Sequence, residues 1–558
     1  MRPRPHTPIP PHFLRRDLIA LFAVALLANG LAASFISRPG YMDAYYYFGG
    51  AVQLARGQGF TEPYVWNYLD PIRQLPHPSH LYWMPLPSLV AAPFLWLAER
   101  LAGTALPNAT LFRMAQIPFV LLASALPLLS YTIASLATPL RRHALAAAFL
   151  TLFSGFYFVV WTNTDAFALY GLTAGGALFV YGLTHTSTHP HMPLRWLFLS
   201  GLLAGLAHLT RADGVFVLGV LLLLELISTR PSIPRTTHYA SRLAPLLLLL
   251  LGYLLITLPW FLRNLLVVGT PLAPGGTRAL WLTEYNDLFT YPADTLTLAR
   301  YLAAGWGNIL AGKWWALKTN FARLIAEQGT IFVFPFSLIG LWKLRRNGLY
   351  APAILYGFAL FALMTFVFTF PGPRGGLYHS AAALLPFFFS AALAGLDASV
   401  EAAARALPHW QPDKSKPVFT ALLVLGAVAV TALIFQLRVV GVGGRNPDAT
   451  RTDTAYAEIG NWLAGQGDTQ SIVAANNPPA FYYWTGHPSI VVPAGSADDL
   501  LNAMAAFGAR WAALDVNHTE GLNALYALPG SDSRLRLRAT FTDAAGKPVY
   551  LFEMSPNP

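Results

Sequence analysis

Cysteine is absent from the 558-residue chain, which excludes disulfides, thiolate catalysis and thiolate metal sites. Charged residues are scarce: they make up 11% of the chain, against about 25% in typical soluble domains. Hydrophobic residues account for 55%. A soluble chain could not cover its surface with so few charges, so the composition predicts a protein with several membrane spans. It also excludes a disordered chain, a coiled coil and a secreted disulfide scaffold.

The charge balance is basic, with 37 Lys and Arg against 26 Asp and Glu and a formal net charge of +11. In a soluble protein such an excess would suggest nucleic-acid binding. In a membrane protein, Lys and Arg in short cytoplasmic loops set the topology instead. We therefore expect no nucleic-acid partner.

Eleven apolar runs have the character of spanning helices. They cover residues 18–36, 112–137, 144–160, 166–184, 197–210, 215–228, 243–262, 330–342, 350–370, 380–397 and 418–437. The first follows Arg15 and Arg16 and could be a signal peptide, because Ala32, Ala33 and Ser34 are small. It is longer than the 7–15 residues of a typical signal core, which favours an uncleaved span.

Loop charge decides the status of a twelfth, proline-containing run at residues 86–101. If that run lies on the outer surface as an interfacial or re-entrant helix, every short basic loop falls on the cytoplasmic side, as expected. These loops carry Arg141, Arg142, Arg230, Arg235, Arg242, Lys343, Arg345, Arg346, Arg405, Lys414 and Lys416. The sequence thus predicts about 11 spans, with the N-terminus inside and the C-terminus outside.

This topology divides the chain into three parts. Residues 1–16 form a cytoplasmic tail, and residues 17–443 form a transmembrane domain with large outer loops at 37–111 and 263–329. Residues 444–558 have ordinary polarity and alternate helical and strand-like patterns. They predict a small extracytoplasmic α/β domain, in which residues 534–541 and 549–554 pair around a turn at 545–547.

Two aspartates are placed at the outer ends of predicted spans. Asp43 follows the first span among tyrosines, and Asp165 ends the sequence Trp-Thr-Asn-Thr-Asp between two spans. Each could simply cap a helix, in the case of Asp43 one beginning at Ala44, because Asp is a favoured N-cap. Alternatively, the two carboxylates converge over one cavity, as a pair for base catalysis or for binding a cation.

Two outward arginines contradict the usual depletion of positive charge from outer loops. Arg211 lies in Leu-Thr-Arg-Ala-Asp-Gly, and Arg374 lies in Pro-Gly-Pro-Arg-Gly-Gly-Leu-Tyr-His, which ends at His379. The planar guanidinium suits a phosphate, and at an outer membrane face this would be a lipid phosphate. A structural Arg211–Asp213 pair or an ordinary headgroup contact is the alternative.

Aromatic, His and amide side chains are concentrated in the outer loops and suit a sugar ligand. An aromatic belt at the membrane interface would explain the Trp and Tyr residues equally well. His77 and His80 could also bind a metal, although Pro78 argues against a helical ligand pair. The substrate-binding candidates in the loops are Tyr45, Tyr46, His77, His80, Tyr82, Trp83, Tyr285 and Asp287.

The order of these features resembles the GT-C superfamily of glycosyltransferases that use polyprenyl-phosphate sugars. Members of this kind include bacterial protein O-mannosyltransferases and the lipid A aminoarabinose transferase. Gly-Tyr-Met-Asp-Ala-Tyr is the most specific match, and Leu-Thr-Arg is weaker. The resemblance implies that Asp43 is the catalytic first-loop Asp and that Asp165 positions the acceptor or a cation. The chain departs from the mannosyltransferases in having Ala44 rather than Glu after Asp43, and it lacks the tryptophan-rich motif of oligosaccharyltransferases.

The resulting expectation is an inverting glycosyltransferase at the outer face of the cytoplasmic membrane. It would pass a sugar from a polyprenyl-phosphate carrier to a lipid, glycan or protein acceptor. Asp43 would take the proton of the acceptor, and Arg374 with Arg211 or His379 would hold the leaving phosphate. Asp43 and Asp165 could share a divalent cation, although no Asp-x-Asp pair supports one.

The alternative is a flippase or transporter of lipid-linked glycans. A transporter should place ionisable groups near the middle of the bilayer. The predicted spans are almost free of charge, and Glu225 and Asp397 lie near predicted cytoplasmic ends, which favours chemistry at the membrane surface. A structural or binding protein that presents the C-terminal part would leave the outward Asp and Arg residues without a role.

Overall fold

The computed structural model describes residues 11–184, 192–227, 239–407, 410–441 and 450–555. Residues 1–10 of the predicted cytoplasmic tail, together with Arg230 and Arg235, lie outside the described residues. The chain is mostly helical and has the character of a multi-pass membrane protein. Six described helices are long and apolar enough to cross a membrane: Leu14–Phe35, Asn108–Ala137, Ala166–Leu183, Leu243–Val268, Gly372–Ala406 and Pro412–Val440.

Twenty-one α-helices are described along the chain. In the first half they are α1 Pro11–Phe35, α2 Met42–Ala55, α3 Leu86–Ala102, α4 Asn108–Ala137, α5 Arg141–Leu152, α6 Ala166–Leu183, α7 Met192–Thr210, α8 Val215–Ile227 and α9 Tyr239–Val268. In the second half they are α10 Gly275–Arg278, α11 Leu298–Ala303, α12 Gly305–Arg323, α13 Phe334–Leu344, α14 Ala351–Ala362, α15 Leu377–Ala381, α16 Leu385–Ala406, α17 Pro412–Phe435, α18 Asp453–Gly465, α19 Pro478–Thr485, α20 Ala497–Phe507 and α21 Asn523–Ala527.

All eleven predicted runs overlap helices, but several helices are shorter than the runs. In the run at residues 144–160, α5 ends at Leu152, because the chain turns at Gly155, which has a φ of +61°. Three further apolar helices have 10–17 residues: Leu194–Thr210, Phe334–Leu344 and Ala351–Val367. The number of spans beyond six therefore stays a prediction.

Small residues allow neighbouring helices of the bundle to pack closely. A Cβ atom on Gly201 in α7 would overlap the carbonyl oxygen of Leu249 in α9, and one on Gly252 in α9 would overlap that of Phe198 in α7. Glycine is therefore required at both positions for this contact. Such close approach is a usual basis of helix association where lipid removes the hydrophobic drive.

Basic loops and acidic partners meet at one end of the bundle. Arg141 pairs with Asp17 at 2.7 Å, Arg142 and His143 contact Asp397, and Lys416 pairs with Glu401 at 2.7 Å. At the other end, the side chain of Asn108 binds the carbonyl of Tyr483. The 30-residue helix α4 joins these two ends and is about 45 Å long.

The C-terminal part forms a sheet that also contains a strand of the first loop. Its order is β2-β5-β4-β6-β8-β7, and β1 pairs separately with β3. The strands are β1 Thr61–Glu62, β2 Tyr64–Val65, β3 His77–Pro78, β4 Ile472–Ala475, β5 Ser489–Val491, β6 Ala509–Leu514, β7 Leu535–Thr542 and β8 Pro548–Met554. The β2, β5, β4 and β6 strands are parallel, whereas β8 is antiparallel to β6 and β7.

Several contacts join this C-terminal part to the first loop. The β2 strand extends the sheet by pairing with β5. The buried carboxylate of Asp453 pairs with Arg38 at 2.8 Å and accepts a hydrogen bond from the hydroxyl of Tyr45 at 3.0 Å. The predicted pairing of the last two strands is present, but the C-terminal part does not form its sheet alone. Its status as a separate domain from residue 444 stays a prediction.

Candidate active site

Three ionisable side chains from distant parts of the sequence meet at one point. Nε2 of His379 lies 3.2 Å from Oδ2 of Asp165 and 3.6 Å from Oδ2 of Asp43. One ligand atom from each of the three residues lies within 4.8 Å of the others. We call Asp43, Asp165 and His379 the triad. The two aspartates predicted to converge are therefore neighbours.

The local structure around Asp43 differs from its capping interpretation. Helix α2 begins at Met42 with Tyr41 as its N-cap residue, and Tyr41 makes no capping hydrogen bond through its side chain. Asp43 lies in the first turn, where the helix dipole stabilises a carboxylate. Its side chain is 25% exposed, whereas that of Asp165 is 1% exposed. The interpretation of Asp43 as the cap of a helix starting at Ala44 is thus wrong, and Asp43 is the more exposed of the two carboxylates.

Asp165 does cap a helix, and it also belongs to the triad. One carboxylate oxygen accepts a hydrogen bond from the backbone N–H of Ala166 at the start of α6. The other accepts from the hydroxyl of Tyr41 at 2.8 Å and faces His379. The sequence did not single out Tyr41 by itself, although it stands two residues before Asp43.

The orientation of His379 leaves Nε2 pointing at the carboxylates. Its Nδ1 lies 2.9 Å from the carbonyl oxygen of Gly375, which can only accept, so Nδ1 carries a hydrogen. The ring stacks on Phe167 at 3.9 Å. A neutral His379 would direct a lone pair at Asp165. A proton on Nε2, or a cation between the three side chains, would remove this unfavourable contact between a lone pair and a carboxylate.

The electrostatic surroundings shift the pKa values of the two aspartates of the triad in opposite directions. Burial and the nearby charge of Asp165 raise the pKa of Asp43 to about 6. Burial also acts to raise the pKa of Asp165, but His379 and the hydrogen bonds from Ala166 and Tyr41 outweigh it and lower that pKa. Two interacting carboxylates with different proton affinities are a typical acid–base arrangement.

The donor set of the triad fits a divalent cation. Two carboxylates and an imidazole suit ions such as Zn²⁺ or Mn²⁺. With bonds of about 2.1 Å, ligand atoms around one ion lie roughly 3 to 3.5 Å apart, and the two distances from His379 are 3.2 and 3.6 Å. The bond from Nδ1 of His379 to the carbonyl of Gly375 is the usual support for a metal-ligating histidine.

Arg374, Tyr285 and Arg211 lie beside the triad and could hold an anion. The guanidinium of Arg374 lies 4.9 Å from the centre of the Tyr285 ring. Arg374 is exposed and has no ion-pair partner within the described ranges. It belongs to a wide helical turn, Gly372–Gly376, in which Gly375 has a φ of +138°. The backbone is non-helical at Gly375, so the chain is kinked beside Arg374 before it continues into α15.

Within the described residues, protein groups bind the guanidinium of Arg211 only at Nε. Its Nε donates to Asp213 at 3.1 Å and to the hydroxyl of Ser380 at 3.0 Å. In the described part of the chain, its two Nη nitrogens have no hydrogen-bond partner. The Arg211–Asp213 pair considered from the sequence is present, yet it leaves the outer edge of the guanidinium for a ligand.

Two aromatic residues of the first loop lie close to these groups. The hydroxyl of Tyr82 interacts electrostatically with Tyr285, Arg211 and Asp43, and its burial raises its pKa. Trp83 stacks on Trp66 with ring centres 3.8 Å apart. Tyr82 therefore lies near the groups of the site, whereas Trp83 packs against Trp66.

Other residues predicted to bind substrate are used in packing. The hydroxyl of Tyr45 binds Asp453, and the hydroxyl of Tyr46 accepts from the backbone of His80 at 2.7 Å. Asp287 accepts three hydrogen bonds from Thr283 and Glu284 and pairs with Arg300 at 2.6 Å. These side chains are buried and fully engaged, so their assignment to the substrate is not supported by their contacts.

The two first-loop histidines do not form a metal pair. The ring of His77 contacts the carbonyl oxygens of Tyr64 and Pro78 and the carboxylate of Glu62. The ring of His80 is fully buried between the hydroxyls of Ser79 and Ser88. Each ring is satisfied by its own neighbours.

No family model and no curated protein matches this chain. Its structure, however, is similar to the oligosaccharyltransferase of Archaeoglobus fulgidus tethered to an acceptor peptide, with a TM-score of 0.57 and 12% identity over 96% of this chain and 74% of that one. The same enzyme in complex with Zn and sulfate gives a TM-score of 0.56 at 12% identity, over 95% and 72%.

A second enzyme matches over nearly its whole length. ArnT from Cupriavidus metallidurans bound to undecaprenyl phosphate gives a TM-score of 0.52 at 15% identity, covering 96% of this chain and 97% of that one. The fold is that of the GT-C glycosyltransferases. The predicted resemblance is thereby confirmed at the level of fold, and identities this low leave the reaction to be argued from the site.

Binding of Mn²⁺ tests the triad as a metal centre. We expect the purified protein to bind one Mn²⁺, measured by the loss of the free-ion signal in electron paramagnetic resonance. His379→Gln should weaken this binding by about tenfold or more, because it removes one ligand. His518→Gln changes a histidine that contacts Asp515 and Asn523 instead and should bind like the wild type. Equal affinity in both variants would refute the metal centre.

Proposed function

We propose that this chain is an inverting glycosyltransferase that moves a sugar from a polyprenyl-phosphate carrier to an acceptor hydroxyl. One observation carries the proposal. In a GT-C fold, the partly exposed carboxylate of Asp43 lies beside His379 and Asp165. The cationic edge of Arg374 lies over Tyr285 on the same site. Base and phosphate-binding groups are the two requirements of this reaction.

The carboxylate of Asp43 acts as the base. It takes the proton of the acceptor hydroxyl as the acceptor oxygen bonds to the anomeric carbon of the sugar. The bond from that carbon to the phosphate oxygen breaks, and its electron pair leaves with the lipid phosphate. Because the acceptor attacks the face opposite the leaving group, the configuration inverts, as in other displacements of this kind. Asp165, which is buried, orients His379 and Tyr41.

The leaving phosphate gains charge as the bond breaks. Arg374 and the outer edge of Arg211 provide guanidinium groups for it, and such preorganised charge stabilisation is usually among the largest contributions to rate. Tyr82 and Tyr285 flank this position and offer hydroxyls and ring faces to the sugar. A divalent cation held by the triad would add positive charge near the reacting groups.

The membrane placement follows from charge. The basic residues at the end of the bundle near Arg141, Arg142 and Lys416 belong on the cytoplasmic side by the positive-inside rule. The triad and the C-terminal sheet then face the outer side of the cytoplasmic membrane. The structural relatives support the donor class, since one is bound to undecaprenyl phosphate and another to a dolichol-phosphate.

Envelope glycans provide the test of this function. We expect deletion of the protein in its host to remove a sugar from a glycolipid or glycoprotein, detected by mass spectrometry, while the polyprenyl-phosphate sugar accumulates on the outer leaflet. If the protein were a flippase, its deletion would instead leave the carrier trapped on the cytoplasmic leaflet. Complementation with the wild type but not with Asp43→Asn should restore the glycan. Restoration by both would refute catalysis at Asp43.

A further inference from the structure

The tyrosine run of helix α2 contains one residue that lies beside the triad. Asp43 and Tyr47 are four residues apart in this helix and therefore share one of its faces. The hydroxyl of Tyr47 interacts electrostatically with both aspartates of the triad and with Arg211. Tyr47 thus belongs to the site, although the sequence singled out only its neighbours Tyr45 and Tyr46.

Packing holds the ring of Tyr47 in place. The side chain is buried, with an exposed fraction of 1%. Its ring contacts that of Tyr46 edge to face at 5.6 Å and lies 6.1 Å from that of Trp83. The backbone carbonyl of Tyr47 accepts a hydrogen bond from the hydroxyl of Ser88 at 2.8 Å, which joins α2 to α3. These contacts fix the position of the hydroxyl relative to Asp43.

The hydroxyl of Tyr47 has no hydrogen-bond partner among the described residues. The two preceding tyrosines differ from it in this respect. Tyr45 donates to Asp453 at 3.0 Å, and Tyr46 accepts from the backbone of His80 at 2.7 Å. A buried hydroxyl without a partner costs free energy, so it requires an explanation in a native protein. The contrast within three consecutive tyrosines points to a ligand as the partner of Tyr47.

The surroundings of this hydroxyl favour an anionic ligand. A tyrosine hydroxyl keeps its proton at neutral pH and can donate it in a hydrogen bond. Arg211 interacts electrostatically with Tyr47, and its two Nη nitrogens also lack a hydrogen-bond partner in the described ranges. A hydroxyl and a guanidinium that both await an acceptor match the oxygens of one anion.

We propose that the hydroxyl of Tyr47 binds, together with Arg211, the phosphate oxygen that leaves with the lipid carrier. This inference rests on the proposed function. As the bond from the anomeric carbon to that oxygen breaks, the electron pair stays on the oxygen. Tyr47 donates a hydrogen bond to it and keeps its own proton, because the phosphate leaves as an anion. The hydrogen bond strengthens as charge develops, so Tyr47 is a catalytic residue.

Helix α2 then carries a group for each end of the displacement. In an inverting reaction, the attacking and leaving oxygens lie on opposite sides of the anomeric carbon. Asp43 takes the proton of the attacking hydroxyl, and Tyr47, about one helical turn further, binds the leaving oxygen. The Cβ atoms of residues four apart in a helix are about 5–6 Å apart, which leaves room for the reacting carbon between the two oxygens.

Binding of undecaprenyl phosphate to the full-length protein, measured by native mass spectrometry, tests this assignment. We expect Tyr47→Phe to weaken the binding by about tenfold or more, the usual effect of losing a hydrogen bond to a charged group. Binding of undecaprenol, which has the same chain without the phosphate, should be unchanged. An equal loss for both lipids would show that Tyr47 contributes packing alone and would overturn the proposal.

Tyr46→Phe is the matched control, since it makes the same change at the next residue. The hydroxyl of Tyr46 has a partner in His80, so its removal should lower the melting temperature but leave phosphate binding by the folded protein unchanged. Tyr47→Phe should keep or raise the melting temperature, because it removes a buried hydroxyl without a partner. A lower melting temperature in Tyr47→Phe, together with wild-type binding of undecaprenyl phosphate, would make Tyr47 a structural residue and refute the assignment.

Arg374→Ala distinguishes a failure of this inference from a failure of the proposed function. If Arg374→Ala weakens the binding of undecaprenyl phosphate and Tyr47→Phe does not, only the role of Tyr47 is overturned. If the wild type binds no undecaprenyl phosphate, the proposed function fails, and the role of Tyr47 fails with it. Weakened binding in both variants is the result that we expect.

Discussion

Replacing Asp43 by asparagine is expected to lower sugar transfer by about 10²–10⁴-fold, the usual contribution of a general base. Asparagine keeps the shape of the side chain and an oxygen that can ligate a cation, but it cannot accept the proton. Asp43 is partly exposed and caps no helix, so the fold should survive. The measurement is transfer from a synthetic polyprenyl-phosphate sugar, normalised to folded protein.

The control for Asp43 is the same change at an exposed position. Asp294 lies on the surface of the second outer loop, and Asp294→Asn should retain full activity. Binding of undecaprenyl phosphate should be unchanged in Asp43→Asn, because the phosphate is held by other residues. Wild-type turnover in Asp43→Asn would show that this carboxylate is not the base.

Replacing Arg374 by alanine is expected to lower transfer by about 10²–10³-fold, as removal of a charge-stabilising donor typically does. The phosphate gains charge in the transition state, so donor binding and turnover should both fall. Arg374→Lys should restore only part of the rate, since a point charge cannot make the bidentate contact of a guanidinium. The assay is the same transfer reaction, run as a function of donor concentration.

A headgroup-anchoring role for Arg374 gives a different result. In that case Arg374→Lys would be nearly silent, and Arg374→Ala would reduce the yield of folded protein more than its specific activity. Arg73→Ala provides the control, because Arg73 is exposed in the first outer loop. A fully active Arg374→Ala enzyme would end the assignment of the phosphate site.

Helical segments could be located from the sequence because apolar length is a local property. All eleven apolar runs overlap helices, and the proline-containing run at residues 86–101 forms the separate helix α3. Their exact ends could not be predicted, since these depend on single turns such as that at Gly155. The pairing of β7 with β8 was likewise readable, because a short turn joins adjacent strands.

Contacts between residues far apart in the sequence could not be predicted from local patterns. The strand Tyr64–Val65 joins a sheet whose other members start more than 400 residues later. Two residues carry no sequence signal for such pairing, because tertiary packing determines the partner of a parallel strand. For the same reason Tyr45, Tyr46 and Asp287 looked like ligand residues, although their polar atoms are used by distant or neighbouring protein groups.

Composition alone was enough to predict a multispanning membrane protein, and the charges of Asp43, Asp165, Arg211 and Arg374 stood out because holding charge near lipid is costly. The meeting of Asp43 and Asp165 with His379 could be seen only in the folded chain, since His379 is 214 residues from Asp165. The fold also sets which carboxylate is more exposed, since exposure depends on the side chains packed around each group. Periodicity and composition record the environment of one segment at a time, whereas a catalytic site is a set of distances between segments.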